Sequence, residues 1–270
     1  DELMMEGMNE KGLSAGLFYF PDYGKYEEYS EANYETNISD FQLVSYILGR
    51  CATVDEVKAE IARVHIHGFD PRSSTVHWRF AEPSGRQIVL EIIDGKCIFY
   101  ENNLGVLTNS PSFDWQLTNL NNYVNLLPGR TEPHTLGNMS LSSFGGGSAM
   151  IGLPGDFTPP SRFVRAAFFQ STAPQKSDAE GSVFTAFHIL GSMEIPIGAQ
   201  FPVDETPADI PSATQCTCVT DMSGLRFYYR SMYDGGIRCI DLKEIDFKKI
   251  GLKSEPLVPS KKEFVHHIRF

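Results

Sequence analysis

Asn109 lies in Leu107-Thr108-Asn109-Ser110-Pro111, at the end of an apolar segment and against a proline. A side-chain amide there can be held towards a cavity as a hydrogen-bond donor, which is what stabilising a developing oxyanion requires. Asparagine is also a common turn former, and both readings stand at this point. Gly12-Leu13-Ser14-Ala15-Gly16 has the letters of the serine hydrolase elbow. That elbow needs a strand before it and a helix after it. Here a polar turn precedes and the strand-like Leu17-Phe18-Tyr19-Phe20-Pro21 follows, so small residues packed in a strand are the better account. His65 and His67, and likewise His266 and His267, lack a third ligand at a recognised metal spacing. Cys216-Thr217-Cys218 has one intervening residue where a zinc or redox pair has two, and strand alternation points both thiols to one face. No metal site is expected. Gly145-Gly146-Gly147 lacks the Gly-Lys-Ser/Thr of a phosphate loop and reads as a flexible turn.

The elements that must position such residues follow from periodicity. An apolar run from Leu13 to Phe20 closed by Pro21 predicts a buried strand, and Phe41, Val44, Ile47 and Leu48 form a helical stripe over Ser39 to Gly49. Thr53-Val54-Asp55-Glu56 is a capping box opening a second helix, with Val57, Ile61 and Val64 on its inner side. From Thr75 the period becomes that of a meander: strands at Thr75 to Phe80, Gln87 to Ile93, Lys96 to Tyr100 and Gly105 to Asn109. Helices are predicted over Phe113 to Leu127, Ser161 to Gln170 and Ser182 to Met193, then strands over Gln215 to Thr220, Gly224 to Met232 and Gly236 to Leu242. Helix pairs alternating with antiparallel meanders predict an α+β fold. No composition break marks a linker, so residues 1–270 read as one domain.

With 23 Lys and Arg against 34 Asp and Glu, the net charge is -11. That balance argues against nucleic acid or an anionic membrane as a partner. No stretch reaches the roughly 18 apolar residues of a membrane helix. Five cysteines, an odd number in strand-like surroundings, read as reduced thiols rather than a disulfide framework. Free thiols lean towards a cytoplasmic compartment, with periplasmic or secreted locations left open.

Several stretches, taken in order, carry a resemblance. They are Gly7-Met8-Asn9-Glu10-Lys11-Gly12-Leu13, Val106 to Pro111, Phe113-Asp114-Trp115-Gln116-Leu117-Thr118-Asn119-Leu120, Gly152 to Phe163, and Phe187-His188-Ile189-Leu190. Together they resemble the choloylglycine hydrolase family, which contains penicillin V acylases and conjugated bile salt hydrolases. The resemblance implies an N-terminal nucleophile hydrolase with a four-layer α/β/β/α sandwich. In that family an N-terminal cysteine thiolate attacks an amide carbonyl and its own α-amine is the base, so no cofactor is implied. This sequence begins at Asp1, and Cys51 lies between predicted helices without a free amine. The expectation is therefore a chain truncated at its N-terminus, inactive by itself, with the nucleophile upstream.

By position, the resemblance makes Asn109 the side-chain donor of the oxyanion hole and Tyr19 the backbone donor. It makes Arg162 the arginine beside the nucleophile; the alternative for Arg162 is a helix-start arginine paired with Asp156. Phe18 and Tyr19, with His67 and Phe69 in the loop His65 to Ser74, are the implied substrate-binding residues. Tyrosine at position 19, and Leu48 to Asp55, resemble the penicillin V acylase branch. A small acyl amide is the implied partner, with bile salt deconjugation second, acyl-homoserine lactone cleavage third, and a catalytically dead acyl-binding protein as the reading from another class. The segment Phe113 to about Pro133 resembles the element through which relatives form tetramers.

Overall fold

Alternation along Ser14–Tyr19 (β2) sends Ala15 and Leu17 to one face, where both are buried, and Ser14, Gly16 and Phe18 to the other. In the computed structural model, which describes residues 3–70, 73–199, 201, 213–258, 260–265 and 267–269, β2 pairs with Glu6–Met8 (β1) and Val76–Ala81 (β5). Gln87–Ile93 (β6) and Lys96–Glu101 (β7) extend the meander, giving a sheet of order β1-β2-β5-β6-β7 with antiparallel neighbours. Leu43–Leu48 (α1) and Val54–Ile61 (α2) cover the face carrying Ala15, Leu17, Val76, Trp78, Phe80, Ile88, Leu90 and Ile92. Each fully buried Val, Leu, Ile or Phe among them contributes about 1.5–3 kcal/mol. The capping box at Thr53 forms as the sequence predicts: its hydroxyl accepts the Glu56 N–H at 3.2 Å and the Glu56 carboxylate accepts the Thr53 N–H at 3.3 Å.

The opposite face of β6 presents Val89, which packs with Val106, Phe113 of Phe113–Asn119 (α3), and Phe163 and Ala167 of Pro159–Thr172 (α4). A second sheet, Cys216–Asp221 (β10), Arg226–Ser231 (β11) and Asp234–Asp241 (β12), carries Ala179–Gly191 (α5) on its outer face through Val183, Phe187, Val219, Tyr228 and Ile237. Alternation turns Cys216 and Cys218 the other way, towards the first sheet, where Glu6 acts electrostatically on both thiols. The sheets meet at Gly12, whose φ of +81° only glycine adopts readily and whose Cβ, if present, would lie 2.5 Å from the Met222 carbonyl oxygen. The order of layers is thus α1 and α2, sheet, sheet, α5, the α/β/β/α arrangement that the resemblance implied.

Several predicted elements shift. The long helix expected from Phe113 to Leu127 stops at Asn119 and tightens to a 3-10 turn over Leu120–Tyr123. Asn121 competes for its hydrogen bonds by donating to the Thr118 carbonyl, while Asn122 donates to the Asn119 side chain. Gly105 to Asn109 is not a strand, because side chains take its backbone groups. Asn102 accepts the Gly105 N–H and donates to the Val106 carbonyl. Three short pieces had no sequence forecast: β1, the parallel pair Asn37–Ser39 (β3) and His65–His67 (β4), and the hairpin His134–Leu136 (β8) with Met139–Leu141 (β9). Asp1 and His266 lie outside the described residues. Among the described residues no helix is long and apolar enough to cross a membrane, and no group of three His, Cys, Asp or Glu side chains could hold a metal ion.

Candidate active site

β2 ends at Tyr19, and the ladder fixes where its backbone points. Leu17 donates its N–H to the Met5 carbonyl on the β1 side, whereas Phe20 donates to Thr75 on the β5 side. Tyr19 therefore turns its N–H and C=O to the β1 edge, where β1 ends opposite Gly16. Into that edge comes Asn109, whose Nδ2 donates to the Tyr19 carbonyl at 2.8 Å. Asn109 Oδ1 accepts from Arg162 Nη2 at 2.7 Å, and Arg162 Nε donates to the Phe157 carbonyl at 2.9 Å. The cation on Oδ1 settles the amide orientation, since a guanidinium only donates. One N–H of Nδ2 serves Tyr19; the amide has a second, on the same edge as the Tyr19 N–H. A side-chain amide and a backbone N–H on one strand edge are the kinds of donor an oxyanion hole uses.

Arg162 reaches this place because α4 begins just before it. Pro159 and Pro160 occupy the first two helical positions, where the missing N–H costs nothing. Asp156 gathers the segment ahead of them by accepting the Thr158 N–H, the Thr158 hydroxyl and the Ser161 hydroxyl. Those hydrogen bonds, Thr158's side chain first, hold the Asp156 carboxyl down at about 2. Asp156 is thus occupied, and the helix-start alternative for Arg162 is not what forms. Burial, then the neighbouring Arg165 guanidinium, pull the Arg162 pKa below its usual value, and arginine remains a cation there. The Asn109 turn is held from behind as well: the Ser110 hydroxyl donates to the Pro21 carbonyl at 2.6 Å and Thr108 donates its hydroxyl to the Pro159 carbonyl at 3.1 Å.

The structure thus brings Tyr19, Asn109 and Arg162 into one hydrogen-bonded chain. The other predicted residues are arranged differently. Phe18 turns to the opposite face of β2 from Tyr19 and lies edge-on to His77 with centroids 6.1 Å apart. His67 stands edge-on to Tyr29 and Phe69 to Phe41, and Phe69 and Tyr19 are 56% and 55% exposed, so both rings are available to a ligand. A relay joins this loop to β2. Buried Asp40 accepts the Phe69 N–H at 3.0 Å and interacts with the Tyr26 hydroxyl. That hydroxyl donates to the Val76 carbonyl and accepts the Val76 N–H, and Val76 is the β5 partner of Tyr19. Burial raises the pKa of both Tyr26 and Asp40.

Tyr26, Asp40, His77 and Glu91 were not singled out by sequence. Glu91 had a signal: a lone acid among Ile88, Val89, Leu90, Ile92 and Ile93 in a strand is seldom tolerated without a partner. Cys51 belongs to the helix-side core, where burial pushes its thiol up to about 11, the wrong direction for a nucleophile.

Two sheets packed face to face between helices, with a pair of amide donors at the end of an inner strand, define a hydrolase of the N-terminal nucleophile type. Residues 1–255 match the family described as linear amide C-N hydrolases, choloylglycine hydrolase family, and the chain belongs to it. A bile salt hydrolase/transferase of Clostridium perfringens is 35% identical over 244 residues, 88% of this chain and 72% of that protein. A penicillin V acylase of Pectobacterium atrosepticum is 29% identical over 268 residues, 91% of this chain and 64% of that protein. A crystal structure of a variant conjugated bile acid hydrolase from Clostridium perfringens superimposes with a TM-score of 0.86 at 32% identity, covering 99% of this chain and 80% of that one.

Proposed function

We infer that Tyr19, Asn109 and Arg162 are the catalytic frame of an acyl amide hydrolase of penicillin V acylase type. The N–H of Tyr19 and Nδ2 of Asn109 bind the oxyanion, and Arg162 orients the asparagine and holds positive charge beside the nucleophile. The nucleophile that the family resemblance implies is an amino-terminal cysteine. Its thiolate adds to the amide carbonyl carbon, the C–N bond breaks as the protonated α-amine returns its proton to the leaving nitrogen, and water releases the acid.

The observation that carries the reading is the convergence of Asn109 Nδ2 and the Tyr19 backbone on one open edge, with Arg162 locking the amide. The exposed rings of Tyr19 and Phe69 favour a flat aryl acyl group such as phenoxyacetyl. Conjugated bile salt is the second reading, supported by the 35% identity to a bile salt hydrolase/transferase. Self-association fits the apolar side chains exposed along α3 and the β8–β9 hairpin, Trp115, Leu117, Leu136 and Met139 among them, and a tetramer is the form proposed.

Mass determination of the native amino terminus, followed by turnover of penicillin V against a glycine-conjugated bile salt, tests this. The expected result is a chain starting with cysteine and a higher kcat/KM for penicillin V. A native chain starting at Asp1 that turns over neither compound overturns the enzyme reading for this polypeptide. A higher value for the bile salt reverses the substrate order.

A further inference from the structure

Two titratable side chains buried behind Asn109 have no part in the site as described so far. His77 on β5 and Glu91 on β6 are both 0% exposed. His77 Nε2 lies 3.1 Å from the Thr108 carbonyl oxygen, and Nδ1 lies 3.1 Å from Glu91 Oε1. The same Oε1 accepts the Phe113 N–H at 2.9 Å. A carbonyl only accepts, so Nε2 carries a proton and donates it to Thr108. The line from Nδ1 to Oε1 then holds a proton as well, because lone pairs on both atoms would otherwise face each other where no solvent reaches. Phe20 stacks on the imidazole at 4.5 Å with 10° between the planes, and Phe18 closes its edge, so the ring is held in place.

Thr108 and Phe113 flank the turn that contains Asn109, and one His–Glu pair ties both ends of it. The Thr108 carbonyl shares a rigid peptide plane with the Asn109 nitrogen, so holding that carbonyl fixes the plane from which the Asn109 side chain departs. Stability does not explain the pair. Glu91 Oε2 is buried without a hydrogen-bond partner among the described residues, which is a cost to folding.

We propose that His77 and Glu91 are positioning residues: their shared-proton clamp on Thr108 and Phe113 aims the Asn109 amide at the oxyanion. Neither side chain is assigned contact with substrate. The proposal rests on the oxyanion role of Asn109 and supplies what keeps that donor in place; a displacement of about 1 Å is enough to cost on the order of 100-fold in rate.

The test uses the native, turnover-competent protein. His77→Phe keeps an aromatic ring against Phe20 and removes both nitrogens. Glu91→Gln keeps the outline, but one terminal atom can no longer both accept from Phe113 and complete the bond to an imidazole that donates to Thr108. In either variant kcat is expected to fall about 10- to 100-fold with KM within about threefold of wild type. Amide hydrogen exchange should quicken over residues 107–114 and stay unchanged in α5. Added to Asn109→Ala, His77→Phe should lower kcat less than about threefold further, because its effect passes through the missing amide. Multiplicative losses, or wild-type exchange over 107–114 in both variants, overturn the proposal. If His77→Phe does not fold, Glu91→Gln carries the same measurements. If Asn109→Ala alone leaves kcat unchanged, the oxyanion reading fails, and exchange, which needs no turnover, decides the clamp by itself.

Discussion

Replacing Asn109 by alanine separates a structural tie from the proposed catalytic donor, because the proposed function gives the residue both roles. In the folded protein the substitution removes the bond to the Tyr19 carbonyl at 2.8 Å and the charge-assisted bond from Arg162 at 2.7 Å. A neutral hydrogen bond contributes about 0.5–1.5 kcal/mol and one to a charged group about 1.5–3 kcal/mol. Asn109 is half-buried, so water rescues part of the loss and the expected destabilisation is about 2 kcal/mol. In the transition state the missing donor costs about 2.7–4 kcal/mol, which is a 10²- to 10³-fold fall in kcat. Asn109→Asp provides the contrast. It keeps an acceptor for Arg162, so it should be the more stable of the two variants, yet it sets a carboxylate against both the Tyr19 carbonyl and the oxyanion. Its kcat should therefore fall at least as far. Urea unfolding and steady-state turnover of an acyl amide by the full-length protein measure the two quantities. A variant with aspartate at 109 that keeps kcat within threefold of wild type would refute the donor reasoning.

Three further outcomes follow from local physics. Thr53→Ala should lower stability by about 1 kcal/mol through loss of the α2 cap, read as a lower urea midpoint at unchanged m-value; an unchanged midpoint contradicts the capping account. Arg86 first, then Lys58, hold the Glu101 carboxyl down at about 2, so its contribution to stability is complete above the ordinary glutamate range and disappears as pH falls through about 2. Glu101→Gln should accordingly flatten the melting-temperature profile between about pH 4.3 and 2 at low salt, and parallel profiles would discount the network. The Cys218 thiol, 3.5 Å away, lowers the Cys216 pKa by hydrogen bonding, so Cys216 should react with iodoacetamide at pH 8 before Cys51 and slow down in Cys218→Ala. Equal labelling rates by mass spectrometry would dismiss that pairing.

What the sequence makes legible here is whatever one segment decides alone. The Thr53 capping box needs four residues, and the β5–β6–β7 meander needs only alternation and two turns, so both are visible without coordinates. Asn109 stood out because proline and strand end lie beside it in the chain. Tyr19 and Arg162 were named only through the family resemblance, for no local pattern links them to Asn109 and only folding joins the three. The same holds for β1 and for the parallel β3–β4 pair, strands of three residues each whose existence depends on a partner elsewhere. His77 and Glu91 each look like a misplaced polar residue in a core strand until their 3.1 Å contact is seen. Helix ends moved where side chains compete for the backbone, as Asn121 after α3 does.

The hydroxyl of Tyr26 has a practical meaning for anyone redesigning acyl preference. Because it grips Val76 while facing Asp40, which in turn grips Phe69, the loop proposed to meet the acyl group and the rail that bears the Tyr19 amide are geared to one another. A loop transplanted from a relative without its matching aspartate and tyrosine would slip against that rail. Successful swaps should be those that move residues 26, 40 and 65–70 as one cassette.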